Sequence, residues 1–230
     1  MRLKAERDSS GEAKLPRAAL ATKSKGRSAD AEASRANILE VALIEFADKG
    51  FSGARIDEIA EKTNTSKRMI YYHFGSKEGL YQAVLDKAYG GIRQTETTMS
   101  IDSADAEQIL ADHIRLTFDY HNSHPEFVRL VMNENILHGA FIKNVGGVKH
   151  RRSSIEELLG TIIQKGQTEG SFREGIDPID LHMTISALSF YNVSNRYTFS
   201  RIFDRDMTSP TAVASRREQV VQVVLAWCRR

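Results

Sequence analysis

Residues 64–77 read NTSKRMIYYHFGSK. The stretch holds Lys67, Arg68 and Lys77, the titratable His73, and no acid. Ile70 and Phe74 stand four apart, a spacing that places both on one face of a short helix. The other face keeps the cations, the hydroxyls and the adjacent Tyr71 and Tyr72. A short helix anchored on one side and basic on the other suits the major groove of a duplex.

The flanking sequence supports that reading. Ile56, Ile59 and Ala60 mark a short helix from about Arg55 to Lys62, with Asp57 and Glu58 in its first turn, where carboxylates complement the helix dipole. Thr63-Asn64-Thr65 is a turn, because Asn tolerates the left-handed conformation. Thr65 or Ser66 caps the next helix, and Gly75 stops it. Ser76 caps a further helix from Lys77 to about Gln94. Upstream, Ile38, Leu39, Ala42, Leu43 and Phe46 form the apolar stripe of a helix over about Ala31–Lys49, ended by Gly50. Two short helices across a tight turn, the second one basic, make a helix-turn-helix.

The bulk composition bounds the rest. The chain has 230 residues and 41% hydrophobic content, enough for one large domain or two small ones sharing an interface. Its net charge is only +2, so any basic surface must be local. Cys228 is the single cysteine, which excludes a disulfide within the chain and points to the cytoplasm. No apolar run approaches the roughly 18–20 residues of a membrane span, and the N-terminus has no apolar signal core. Residues 1–30 carry eight Lys or Arg against four acids and few apolar side chains, so they read as a flexible arm. That arm is either a solvated tail or a basic extension that touches DNA.

The remainder predicts more helices. Ala104–His121 carries Ile109, Leu110, Ile114 and Phe118; Pro125 breaks it and starts another with Phe127, Leu130 and Val131. Gly146-Gly147 reads as a loop or kink. Lys149–Lys165 is amphipathic, with Gly166 and Gly170 ending it. Asp177-Pro178 opens a long helix to about Phe199, and Ser209-Pro210 opens the last. The expectation is an all-α chain of about nine helices: a helix-turn-helix domain over 31–76 and a second domain over 77–230.

Ile38–Leu85 resembles the DNA-binding domain of the tetracycline-repressor (TetR/AcrR) family. Phe46, Gly50-Phe51, Ile59-Ala60, Ser66-Lys67, Ile70-Tyr71-Tyr72-His73-Phe74 and Gly75-Ser76-Lys77-Glu78-Gly79-Leu80 carry the likeness. Ala54-Arg55 and Asn64 depart from the family pattern. More loosely, Glu134, Leu137-His138-Gly139-Ala140, Ile176-Asp177-Pro178, Leu181-His182, Ser186-Ala187 and Tyr191 resemble the ligand domain of pyrimidine-utilisation regulators of the RutR type.

The resemblance implies a homodimeric transcriptional repressor on double-stranded operator DNA, released by a small-molecule effector. The alternative is an activator, or a regulator answering to a protein partner. By the family pattern Lys67, Arg68 and Met69 enter the major groove; Tyr71, His73 and Lys77 are the expected phosphate contacts, Arg55 is within reach of a phosphate, and Ser66 is a further expected DNA-binding residue. Tyr72 is either a contact or a core residue. The helix from Lys77 to Gln94 touches both expected domains and is the natural lever between them.

No cofactor, metal or catalytic role is expected. His121 and His124 have a shared-face spacing, but Pro125 follows at once and no carboxylate or thiol completes a set. Cys228 has no placed base. Polar residues on otherwise apolar helices are satisfied internally or line an effector pocket; Phe118, His121, Asn135, His138, Tyr191 and Asn195 are the candidates. Val220, Val221, Val223, Val224 and Leu225 nearly fill a helix circumference. The last two long helices therefore read as a dimer interface, or the last one as a central helix within a monomer.

Overall fold

A computed structural model describes the backbone of residues 17–96, 105–146 and 148–230, and the side chains of 30–92, 105–146 and 154–230. Its ten α-helices are α1 (Arg17–Gly53), α2 (Ile56–Lys62), α3 (Lys67–Phe74), α4 (Lys77–Glu96), α5 (Ala106–Ser123), α6 (Pro125–Ile136), α7 (Val148–Glu169), α8 (Pro178–Ser194), α9 (Arg196–Ile202) and α10 (Pro210–Cys228). A 3-10 turn at Ile142–Asn144 and one bridge between Phe172 and Arg229 are the other regular features of the described residues. The fold is all-α.

Capping chemistry places most boundaries where the sequence predicts them. The Ser66 hydroxyl accepts from the Met69 amide at 3.2 Å and starts α3, and Ser76 does the same for Gly79 at 3.1 Å in α4. Asp177 caps α8 through Ile179 and Asp180. Gly50 breaks α1 at φ 69°, a conformation that favours glycine.

Three boundaries differ from expectation. The first helix begins at Arg17, inside the stretch read as an arm; residues 1–16 of that arm lie outside the described residues. Ala, Leu, Lys and Arg propagate a helix readily once the packed turns beyond it supply the nucleus. Helix α7 runs through Gly166 and stops at Gly170, φ 78°. The helix expected to reach Phe199 divides at Asn195 into α8 and α9, which makes ten helices among the described residues where about nine were expected.

Two apolar cores divide the molecule. The first joins α1, α2 and α3 to α4 and α6, through Ile38, Phe46, Ile59, Ile70, Leu80 and Leu130, all fully buried. Burying each of these side chains is worth roughly 1.5–3 kcal/mol. The second joins α5, α7, α8 and α10 through Ile114, Phe118, Leu159, Ile185 and Val224. Of the valine-rich stretch, Val220, Val221, Val224 and Leu225 are buried within the chain itself and only Val223 faces out, so intrachain packing accounts for most of the apolar excess there.

Helix α6 packs on the end of α1 and is fastened there by polar contacts. The Asn133 amide donates to the carbonyls of Phe46 and Ala47 at 3.1 and 3.2 Å, and Arg129 pairs with Asp48 at 3.0 Å. The buried Glu134 carboxylate accepts from the Phe141 and Ile142 amides at 2.8 and 2.9 Å. This holds the Phe141 ring 4.4 Å from Phe51 and 5.1 Å from Tyr81. Helix α4 is thus joined by α6 in spanning the two halves.

Candidate functional site

Helix α3 stands where its two faces are separated. Ile70 is fully buried, and Phe74 packs against the first core with the Arg35 guanidinium 5.1 Å above its ring. Asn64, at φ 50°, turns the chain between α2 and α3. Outward, Arg68 is exposed, and Met69, Tyr71 and Tyr72 are 38%, 44% and 77% exposed. That exposure excludes a core role for Tyr72. These side chains leave α3 with an exposed face that is both basic and partly aromatic.

Two of the cations around α3, Lys67 and Arg55, share one carboxylate. Asp57 pairs with Lys67 at 2.8 Å and with Arg55 at 3.6 Å. The hydrogen bond from Lys67 holds the Asp57 carboxyl below its usual range, with both cations adding to the effect against desolvation. Lys77 lies with its ammonium 5.0 Å over the Phe51 ring and 3.5 Å from the Ser52 carbonyl. His73 is half-buried, and its ring meets Tyr72 edge-on at 5.3 Å. Ser66 spends its hydroxyl on the helix cap.

Beneath this surface a buried ion cluster fixes α2 against α1. Glu45 is 2% exposed and accepts from Lys49 and Lys62, each at 2.7 Å. Burial pushes the Glu45 carboxyl up, but the hydrogen bonds and charges of Lys49 and Lys62 outweigh it and hold the group at about 2. This triad was not singled out from the sequence; its signal was a lone acid on the apolar side of α1.

A cavity of about 660 Å³, open to solvent on the side of Asn135, Met183 and Ala187, lies where the two cores meet. Tyr89 and Ile92 of α4, His121 of α5, Phe127, Val131 and Asn135 of α6, and His182, Met183, Ser186, Ala187 and Phe190 of α8 line it. His121 is 3% exposed, stacked 5.8 Å from Phe127 and edge-on to Phe190 at 5.8 Å. Burial lowers its pKa to about 4, and the charge of His182 acts in the same direction.

Two of the six pocket candidates, His121 and Asn135, meet in this cavity. The other four lie elsewhere. Phe118 is fully buried in the second core, because its side of α5 faces α7 and α10. His138 sits in an exposed turn at φ 55°. Asn195 closes α8 and donates to Ser194 at 2.8 Å. Tyr191 lines a separate cleft of about 230 Å³ with Phe199, Arg205 and Arg216. Sequence reasoning passed over Tyr89, Ile92, Val131 and Met183, whose only signal is apolar helical spacing shared with core residues. Among the described residues no group of three metal-ligating side chains assembles, and no helix is long and apolar enough to cross a membrane.

The geometry is a three-helix helix-turn-helix unit joined to a larger helical body that holds a cavity. Comparison with known proteins identifies the class. Residues 38–84 match the family described as bacterial regulatory proteins, tetR family, and residues 107–224 match the tetracyclin repressor-like C-terminal domain. The transcriptional repressor NicS of Pseudomonas putida is 33% identical over 204 residues, covering 89% of this chain and 96% of NicS. The regulator RutR of Escherichia coli is 34% identical over 108 residues, 47% of this chain and 50% of RutR. A tetR-family regulatory protein from Rhodococcus RHA1 superposes with a TM-score of 0.67 at 21% identity, covering 86% and 98% of the two chains. The chain belongs to the TetR family: it is a helix-turn-helix, DNA-binding transcriptional regulator.

Proposed function

We propose that the protein is a homodimeric repressor that leaves its operator when a small molecule occupies the α4–α5–α6–α8 cavity. The observation that carries this reading is the double engagement of α6. One side of α6 gives Phe127, Val131 and Asn135 to the cavity. Its Arg129 and Asn133 hold α1 of the DNA-binding unit. A ligand that packs better against one placement of α6 shifts the placement of α1 and α3, and it does so only by its differential affinity for the two states.

In the DNA complex Arg68 and Met69 read base edges, with Lys67 released from Asp57 to join them. Arg55, Tyr71, Tyr72, His73 and Lys77 face the phosphates, and the cap made by Ser66 keeps the first turn of α3 aligned. The outward Tyr191 of α8 and Val223 and Trp227 of α10 are 46%, 54% and 40% exposed, and supply the apolar surface for a second copy. Two copies place two α3 helices in successive major grooves about 34–36 Å apart or somewhat more. Selection of bound fragments from the source genome, followed by footprinting, tests the reading. The expected footprint is a pseudo-palindrome protected by a dimer. Retardation of no genomic fragment, or protection of one isolated half-site by a monomer, would overturn it.

A further inference from the structure

The chemistry of the cavity wall selects among ligands. Its described lining contains no Lys, Arg, Asp or Glu. Most of it is aromatic or aliphatic: Tyr89, Ile92, Phe127, Val131 and Phe190 among others. A full charge seated against the inner wall beside His121 would lose part of its hydration with no Lys, Arg, Asp or Glu to replace it, which disfavours an ion there. The most deeply buried polar side chain of the wall is His121, 3% exposed, with His182 beside it in the lining. The Nδ1 of His121 is buried and meets no protein partner, while the ring is fixed between Phe127 and Phe190. Such an atom is a poor feature of a core and a good feature of a binding site, because pairing it recovers what its desolvation costs. A volume of about 660 Å³ falls in the range of small-molecule sites, roughly 300–1,000 Å³.

We propose that this cavity takes an uncharged, ring-bearing ligand whose polar group hydrogen-bonds to the His121 imidazole. The ring lies among Phe127, Phe190 and Val131. Burial keeps His121 neutral at pH 7, so its ring accepts or donates a hydrogen bond without presenting a cation to an anionic ligand. The inference rests on the reading of this cavity as the effector site, but it concerns what binds and not what binding does to DNA.

The test uses the full-length chain and three isosteric probes: 2-naphthamide, 2-naphthoate and 2-naphthylmethylammonium, titrated by calorimetry at pH 7. The amide is expected to bind at least about tenfold more tightly than either ion. His121→Phe, which keeps a ring in the stack, is expected to weaken the amide about tenfold. Ala187→Trp sets an indole across the open side of the cavity and is expected to abolish its binding. Equal or tighter binding of an ionic probe overturns the proposal, as does amide affinity that survives Ala187→Trp. Failure of the amide to bind also overturns it, since the cavity would then refuse the class. Operator release is measured separately by gel retardation. Amide binding without release counts against the effector reading alone, whereas release driven by the carboxylate counts against the ligand class alone.

Discussion

The Glu45 cluster offers a sharp test of how the recognition helix is supported. Lys49 meets Glu45 within α1, one turn along, whereas Lys62 at the end of α2 reaches the same buried carboxylate and ties together two helices against which α3 packs. The folded-state pKa of Glu45, about 2, lies below the ordinary value of 4.5. Ionised Glu45 therefore stabilises the fold fully above about pH 4.5, and that contribution is lost as pH falls from 4.5 towards 2. At about 1.4 kcal/mol per pH unit the ceiling is about 3 kcal/mol. The lysine side chains are 39% and 52% exposed, and solvent screening brings the contribution to about 1–2 kcal/mol. Glu45→Gln keeps the shape and removes the charge. Urea unfolding at pH 7 is expected to show a loss of about 1–2 kcal/mol in the variant, with its m-value unchanged. Between pH 4.5 and pH 3 the gap between wild type and variant should narrow by about half. A gap that stayed constant from pH 7 to pH 3 would refute the assignment of the charge as the source of stability.

Other outcomes are expected from the same structure. Arg68→Ala should weaken operator binding by about 1–3 kcal/mol and relax one base position; equal weakening on random DNA, measured by gel retardation, would make Arg68 a phosphate contact. Asn133→Ala removes both hydrogen bonds to the Phe46 and Ala47 carbonyls and should cost about 1–2 kcal/mol in thermal melts. The same variant should blunt effector-driven release of the operator; an unchanged release midpoint would show that α6 does not carry the signal through Asn133. Gly166→Ala places a Cβ 2.2 Å from the Phe172 ring, which closes the end of α7 against the C-terminal residues. Overpacking of this kind should lower stability by about 1–3 kcal/mol, and a melting temperature equal to that of the wild type would show that Phe172 moves aside freely.

What the sequence alone determined is the part of the protein governed by near neighbours. Ser66, Asn64 and Gly75 set the start of α3, the turn before it and its end through bonds spanning a few residues, and Ile70 separates its faces by spacing alone. The helix-turn-helix was legible for that reason, as were the starts of α8 and α10 at Asp177 and Ser209. The cavity was not, because α5 and α8 are buried on more than one side. Phe118 and His121 stand three apart on α5, yet the first enters the second core and the second turns to the cavity, and periodicity assigns both to the interior. The same ambiguity hid the role of α10, whose valines are consumed mostly by its own chain. Only tertiary packing decided these points, since it chose which helix lies against each buried side. It also brought Asn133 to the end of α1 and Lys62 to Glu45, contacts between residues far apart in the chain that no local pattern records.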